Sequence, residues 1–380
     1  MNNHKAVLKI VAFVLVVLYL GSQGWKSSRD IENRAFVMMA GIDAAPGGNL
    51  SLTYNIAIPA ALGAGGGGES EGGEQEGILR LKTEAKSIVE ARHTMQGKVA
   101  NPIFFGHLQA IVIGKELAER GVRQVLDVLL RNADIRRKSW FLVTEGNPEE
   151  VLEVKPKQEK LPSLYINRAL EMESYLQMFP ALRFGQFMIT ESRSDQEPVA
   201  IMVKPDKDSI TIAGLAIFKG DKMVGQLNAT EAHHFLLTAR GYGFQPTLVP
   251  CPRGEGELVF VTTGAKRSIR PHVEGNKVSF SVLVKVEGNI MEKTSSTSLR
   301  DEDYLRAVES SIASKLQRDL RTVLHRLQKE LKVDSYGFGQ TIRARYPKVW
   351  KEIDWRKEFP DVPINIQVEA KIRRLGMAAN

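Results

Sequence analysis

Apolar positions recur at two spacings along this chain, and the change from one to the other marks its elements. Leu50, Leu52, Tyr54 and Ile56 alternate with Ser51, Thr53 and Asn55, the period of a half-buried strand. Residues 34–42 read as a second strand, and Pro46-Gly47-Gly48 turns one into the other, so a hairpin is expected. Val278, Phe280, Val282, Val284 and Val286 repeat the alternation, and Glu274-Gly275-Asn276 folds that strand back on residues 257–270. The second spacing governs Leu305, Val308, Ile312, Leu316, Leu320, Val323, Leu327 and Leu331, whose steps of three and four fit one long helix. At about 1.5 Å per residue it spans roughly 40 Å and needs a broad sheet face to cover its stripe. Ile364, Ile366, Val368, Ala370 and Ile372 give one face of a last strand.

Elsewhere the pattern predicts strands at 78–83, 108–113 and 139–144, with helices near 84–96 and over 115–131. Asn147, Pro148 and Glu150 supply an N-cap, a first-turn proline and an acidic N3, a helix start. The Lys/Pro-rich stretch 155–162 reads as a boundary, followed by a helix near 164–177 and a meander of strands at 199–203, 210–218 and 223–227. A Gly/Pro-rich passage at 241–256 precedes the last unit. The expected fold is α+β (mixed α/β) and multi-domain, each unit a sheet carrying helices, with the long helix on the C-terminal sheet. The expected division is an N-terminal signal or anchor at 1–24, an α/β domain at 25–158, a small middle domain at 159–243 and a C-terminal α+β domain at 244–380.

Composition changes this picture little. The 380 residues are 43% hydrophobic and 25% charged, ordinary for folded domains of about 150 residues each. A net charge of +8 fits either a solvated basic surface or anionic partners such as acidic lipid, wall polymer or nucleic acid. The N-terminus carries an address: Lys5 and Lys9 precede the apolar run 10–20, which ends at Gly21-Ser22-Gln23-Gly24. That is a secretory signal, or an uncleaved anchor if Ala6–Leu8 extend it toward the roughly 20 residues of a membrane span. Export argues against a nucleic-acid partner. Cys251, flanked by Pro250 and Pro252, is the single cysteine; it makes no internal disulfide and reads as a small residue in a rigid turn. The glycine-rich stretch 63–77 is acidic and lacks a following Gly-Lys-Ser/Thr, so it is a solvated loop rather than a phosphate cradle.

Candidate chemistry is sparse. No Gly-x-Ser-x-Gly elbow, HExxH, paired CxxC or Walker sequence occurs. His233 and His234 fall on adjacent helix positions about 100° apart and do not converge on one metal. His93, His107, His272 and His325 lack acidic or cysteine neighbours at ligand spacing, and Glu149-Glu150 is a capping pair. No catalytic residue, metal ligand or cofactor is therefore expected. Two clusters instead suggest contact with a partner. Phe105 and His107 sit in a turn before a strand. Trp350, Trp355 and Phe359 interleave with Lys348, Lys351, Arg356 and Lys357, an aromatic and basic stripe suited to a lipid headgroup layer or another subunit. Packing of Phe105 into the core, and of the tryptophans beneath snorkelling cations, is the competing expectation.

Landmarks over most of the chain resemble the Ger(x)C family of spore germination proteins. Gly24-Trp25 and Arg29-Asp30-Ile31-Glu32-Asn33 are similar to the family's Cys-Trp-Asp-Arg-Arg-Glu-Ile, and Phe105-Gly106-His107-Leu108 with Ile111–Gly114 to its FGH and IIxG landmarks. Arg131-Asn132-Ala133-Asp134-Ile135-Arg136 resembles its Arg-Asp-x-x-Ile-Arg run, and Gly214-Leu215-Ala216-Ile217-Phe218-Lys219 with Gly225 its GLAVFK and VG. The most specific block runs from Asp334 to Met377, with a Gly-Phe-Gly turn, a Tyr-Pro helix start and a Trp-bearing basic helix. The resemblance implies a non-enzymatic, extracytoplasmic subunit of a nutrient germinant receptor, held at the spore inner membrane beside A-type and B-type integral membrane subunits. Family members are usually lipoproteins acylated on a cysteine before the tryptophan; Gly24 stands there, so residues 10–20 must anchor the chain unless they are cleaved. The alternative is an exported protein that binds wall fragments or solutes in a cleft between domains. A wall hydrolase would need converging carboxylates that no spacing here implies.

Overall fold

A computed structural model describes residues 11, 13, 14, 34–57, 77–159, 161–175, 179–241, 244, 246–252, 256–295 and 297–374. Most of the apolar run 10–20, the Gly24-Trp25 landmark with residues 29–33, and the glycine-rich stretch apart from Gly77 lie outside them. Among the described residues no helix is long and apolar enough to cross a membrane.

The first hairpin pairs β1 (Ala35–Ala44) with β2 (Leu50–Ala57), and β3 (Ile78–Ala85) adds antiparallel to β2. After α1 (Ile88–Gln96) and the short β4 (Ile103–Phe104), β5 (Ala110–Gly114) lies parallel to β1. Helices α2 (Lys115–Arg120) and α3 (Arg123–Arg131) lead to β6 (Trp140–Thr144), then α4 (Pro148–Glu153), α5 (Pro162–Tyr175) and α6 (Phe184–Glu191). Strand β7 (Val199–Pro205) joins β6 in parallel, and β8 (Ile210–Lys219) and β9 (Lys222–Asn228) finish the sheet as an antiparallel meander. The strand order is β3-β2-β1-β5-β6-β7-β8-β9, with β4 beside the start of β1. Parallel strands at its centre are covered on both faces. Ala110, Val112, Trp140 and Leu142 point to one core, and their neighbours Ile111, Ile113, Phe141 and Val143 to the other.

Helix α7 (Ala229–Arg240) connects to a second sheet of β10 (Pro246–Pro250), β11 (Glu257–Glu274), β12 (Lys277–Lys293) and, later in the chain, β13 (Ile364–Arg374). The long helix α8 (Glu302–His325) continues through one π turn at 326–330. Its predicted stripe is the buried one: Val308, Ile312, Leu316, Leu320, Val323 and Leu327 are all at most 2% exposed. Helices α9 (Phe338–Arg345), α10 (Pro347–Glu352) and α11 (Trp355–Glu358) precede β13, which runs parallel to β12 with Val282 opposite Ile366 and Val284 opposite Val368. The molecule is thus a mixed α+β fold with two sheets and the long helix on the C-terminal one. A single core runs from the inner face of the first sheet, through Phe235 and the α8 stripe, to Phe280, Val282 and Val284. Each fully buried Leu or Phe side chain there contributes about 1.5–3 kcal/mol.

Several expectations need correction. The helix expected over 115–131 is two helices, because Gly121 adopts φ 122° and the Val122 amide leaves the helix to donate to the Asp221 carbonyl at 2.9 Å. The helix expected from 84 begins at 88, since Glu84 and Ala85 still pair with Ser51 and Leu50, and Ser87 caps it. The Trp-bearing helix is broken into α10 and α11 at Ile353-Asp354. Helix α6 and strand β10 were not anticipated. The meander β7–β9 continues the first sheet, while residue 244 falls between the two sheets.

Candidate functional site

The C-terminal block is organised by one carboxylate. Asp334 is buried, and its Oδ1 accepts from the Gly337 and Phe338 amides at 2.9 and 3.1 Å. Its Oδ2 accepts from the Gly339 amide at 2.7 Å and from Trp355 Nε1 at 2.9 Å. An Asp side chain that closes on amides three to five residues ahead shapes the turn itself. Gly337 takes φ 83°, and a Cβ on Gly339 would sit 2.4 Å from Trp355 Nε1, so the Gly-Phe-Gly turn is set by backbone geometry and by the indole. Burial lifts the Asp334 pKa to about 6, against the pull of its four donors. Around it Phe338 packs on Phe280 (4.9 Å) and Phe359 (6.2 Å), and Trp355 on Phe359 (5.7 Å) and Trp350 (6.3 Å).

The segment between α6 and β7 clasps this block to the first sheet. The Glu197 amide donates to the Asp334 carbonyl at 2.9 Å, and Gln196 Nε2 to the Ser335 carbonyl at 3.0 Å. The buried Asp195 carboxylate receives Arg193 in a two-point contact (2.8 and 3.1 Å) and Arg343 at 3.0 Å. Buried Glu197 accepts from Arg356 Nε at 2.7 Å and from the Gly220 amide at 2.6 Å. Buried carboxylates satisfied in this way fix geometry, because removing either partner strands a charge. Asp195 and Glu197 escaped the reading of the sequence: a short polar stretch reads as a loop, and its partners lie far along the chain.

The residues singled out as partner contacts divide by exposure. Phe105, Trp355 and Phe359 are buried, at 5%, 4% and 1%, and present no aromatic surface. Trp350 is half-buried, while His107, Lys351 and Arg356 are exposed. His107 stands edge-on to Phe36 at 5.0 Å, beside Arg34 stacked 4.3 Å over Phe104. Two landmarks meet here, since Phe105 and Leu108 share a groove of about 320 Å³ with Arg131, Asn132 and Ile135. Beside it His107, Arg136, Lys138 and Arg183 line a basic hollow of about 470 Å³, in which Arg183 lies 3.5 Å over the Trp140 ring. The two clusters remain separate: Phe105 and His107 belong to this face, the tryptophans to the Asp334 block.

A third feature lies between the sheets, a cleft of about 410 Å³. Arg240 and Arg267 reach it from α7 and β11, Gln340 from α9, and Ser335 and Tyr336 from the Asp334 turn. Among the described residues no group of three His, Cys, Asp or Glu is placed to hold a metal ion. His233 and His234 are buried in α7, where desolvation holds the His233 pKa down to about 4 and lowers that of His234. His233 packs edge-on to Phe179 at 5.2 Å.

Comparison with known proteins agrees with these landmarks. Residues 27–205 match the spore germination protein N-terminal domain family, and residues 213–376 the spore germination B3/GerAC-like C-terminal family. The chain is 25% identical to spore germination protein KC and 26% identical to spore germination protein B3, both of Bacillus subtilis (strain 168). Those alignments cover 99% and 96% of this chain and 97% of each relative. Spore germination protein GerQC of Bacillus cereus is 22% identical, over 97% of this chain and 98% of its own. The crystal structure of the GerBC protein superposes with a TM-score of 0.58 at 24% identity, covering 90% of this chain and 99% of that one, which shows a common fold. The order of landmarks, both domain matches and the shared fold lead to one assignment: the chain belongs to the Ger(x)C family of spore germination proteins.

Proposed function

We propose that this protein is a non-enzymatic, extracytoplasmic subunit of a nutrient germinant receptor and works by contact with A-type and B-type membrane subunits. The observation that carries the reading is the pair of germination-family matches, which together run from residue 27 to residue 376. Residues 10–20 tether the chain to the spore inner membrane unless they are cleaved. The contact surface is drawn from the exposed members of the two clusters. His107, beside exposed Arg136, Arg137 and Lys138, forms a basic face near Arg34, where the tether enters β1. Trp350, Lys351 and Arg356 form the other, braced from behind by buried Trp355 and Phe359. Basic surface near an anchor is drawn to an anionic leaflet by about 1 kcal/mol per cation. Deleting the gene tests the assignment: nutrient-triggered germination should fall, and the tagged chain should co-purify with both membrane subunits from detergent extracts. Normal germination in a strain without a paralogue, together with no co-purification, overturns it.

One observation favours a second reading, an exported solute-binding protein: the cleft between the sheets has the volume of a small-ligand site.

A further inference from the structure

The basic hollow at the N-terminal ends of β5 and β6 is held in shape by backbone and stacking contacts. Arg183 stacks 3.5 Å over the Trp140 ring and donates from Nη1 to the Lys138 carbonyl at 3.0 Å, which fixes its guanidinium. The loop that carries Arg136 and Lys138 is pinned by the start of α6. There the Gly185 amide donates to the Arg137 carbonyl at 2.9 Å and the Phe184 amide to the Ser139 carbonyl at 2.8 Å. A Cβ on Gly185 would come 2.9 Å from the Arg137 Cβ, so this close approach depends on glycine.

Charge in the hollow is unbalanced. Its one lining carboxylate, Glu171, is engaged by Arg183 Nη2 at 3.2 Å. Arg136 and Lys138 are exposed, and their side chains make no ion pair or hydrogen bond among the described residues. Burial pushes the Arg183 pKa down in spite of Glu171, so its charge is only partly compensated. Cations that face one hollow from separate segments repel, and an anion among them relieves the repulsion. Phosphate suits this arrangement, because its oxygens accept from several directions at once and a guanidinium fork matches two of them. The volume of about 470 Å³ lies in the range of small-ligand sites and leaves room for an ester substituent. We propose that the hollow binds a phosphate ester, with Arg136, Lys138 and Arg183 sharing its oxygens. The site deepens the basic contact face described above and rests on that reading. At a membrane the ester belongs to a lipid headgroup, and in solution to a small phosphorylated molecule.

Receptor assembly is read by co-purification and phosphate capture by calorimetry on the purified chain, so either can fail alone. The test titrates the full chain, in neutral-detergent micelles, with glycerophosphate and with glycerol as the uncharged control. A second arm titrates dihexanoyl phosphatidylglycerol against uncharged dihexanoylglycerol. Saturable binding of glycerophosphate identifies a soluble ester, and binding of the phosphatidylglycerol alone identifies a headgroup; either supports the site. Arg136→Gln combined with Lys138→Gln should weaken the bound ester at least about tenfold. Arg270→Gln combined with Lys277→Gln removes the same charge from β11 and β12 of the second sheet, and should leave binding within about twofold. Both double variants should keep the wild-type thermal unfolding midpoint to within a few degrees. The proposal fails if neither ester saturates the wild type or if the uncharged controls bind equally well. It fails too if the Arg136 and Lys138 variant binds like the wild type, or if the Arg270 and Lys277 variant loses as much.

Discussion

Replacing Asp334 by Asn preserves the side chain's shape and turns one of its two acceptors into a donor facing donors. Each carboxylate oxygen serves two N–H groups, so either orientation of the amide leaves two of them unmatched. Asp334→Asn should therefore cost about 2–4 kcal/mol in urea unfolding. The same residue sets a pH dependence. Its folded pKa of about 6 stands above the ordinary 3.8, so the native state holds the proton more tightly. Its contribution is complete below the unfolded value and is lost as the pH rises through about 6. Wild-type stability should then fall by about 2 kcal/mol at this site from pH 4 to pH 7, a loss that Asp334→Asn does not share. His233 acts in the opposite sense, because its folded pKa of about 4 lies below the ordinary 6.5. Its contribution is present above 6.5 and is lost as the pH falls through 4. Urea titrations across that range should show His233→Phe losing up to about 3 kcal/mol less than the wild type on acidification.

Elements with a strong period were legible in the sequence, and those decided by distant contacts were not. The α8 stripe is read directly from its spacing, and Leu316→Ala, at a fully buried position, should cost about 2–5 kcal/mol by chemical denaturation. Strands β5 and β6 were equally plain as short apolar runs. The break between α2 and α3 was missed because helical spacing continues across Gly121, and only the Asp221 carbonyl in the turn between β8 and β9 draws Val122 out of register. Gly214 explains part of a landmark that was visible only as a resemblance. At φ 146°, a Cβ there would meet the Leu227 carbonyl oxygen at 1.9 Å, so Gly214→Ala should separate β8 from β9. The expected loss exceeds about 2 kcal/mol, with hydrogen exchange accelerated first along β9. Of the candidate site, the aromatic and basic residues were named but their exposure was not, since spacing in α10 and α11 does not say which face meets Phe280 and Phe338. The cleft had no signal at all, because Arg267 and Tyr336 share it only after both sheets have formed.

Across the whole molecule, the clasp at 193–197 couples parts that are far apart in the chain. A double-mutant cycle with Glu197→Ala and Arg356→Ala should return a coupling of about 1–2 kcal/mol, kept modest by the solvent that reaches Arg356. A larger consequence comes from the first sheet. Its strand β7 falls within the N-terminal family match, while β9 and all of β8 beyond its first three residues fall within the C-terminal match. The seam between the two homology units therefore passes through a hydrogen-bonded ladder and not through a linker. Severing the gene in the 206–209 turn would leave each half with a raw, unpaired strand, prone to aggregate when made alone. Produced together, the halves should zip along β7 and β8 into a soluble two-piece protein.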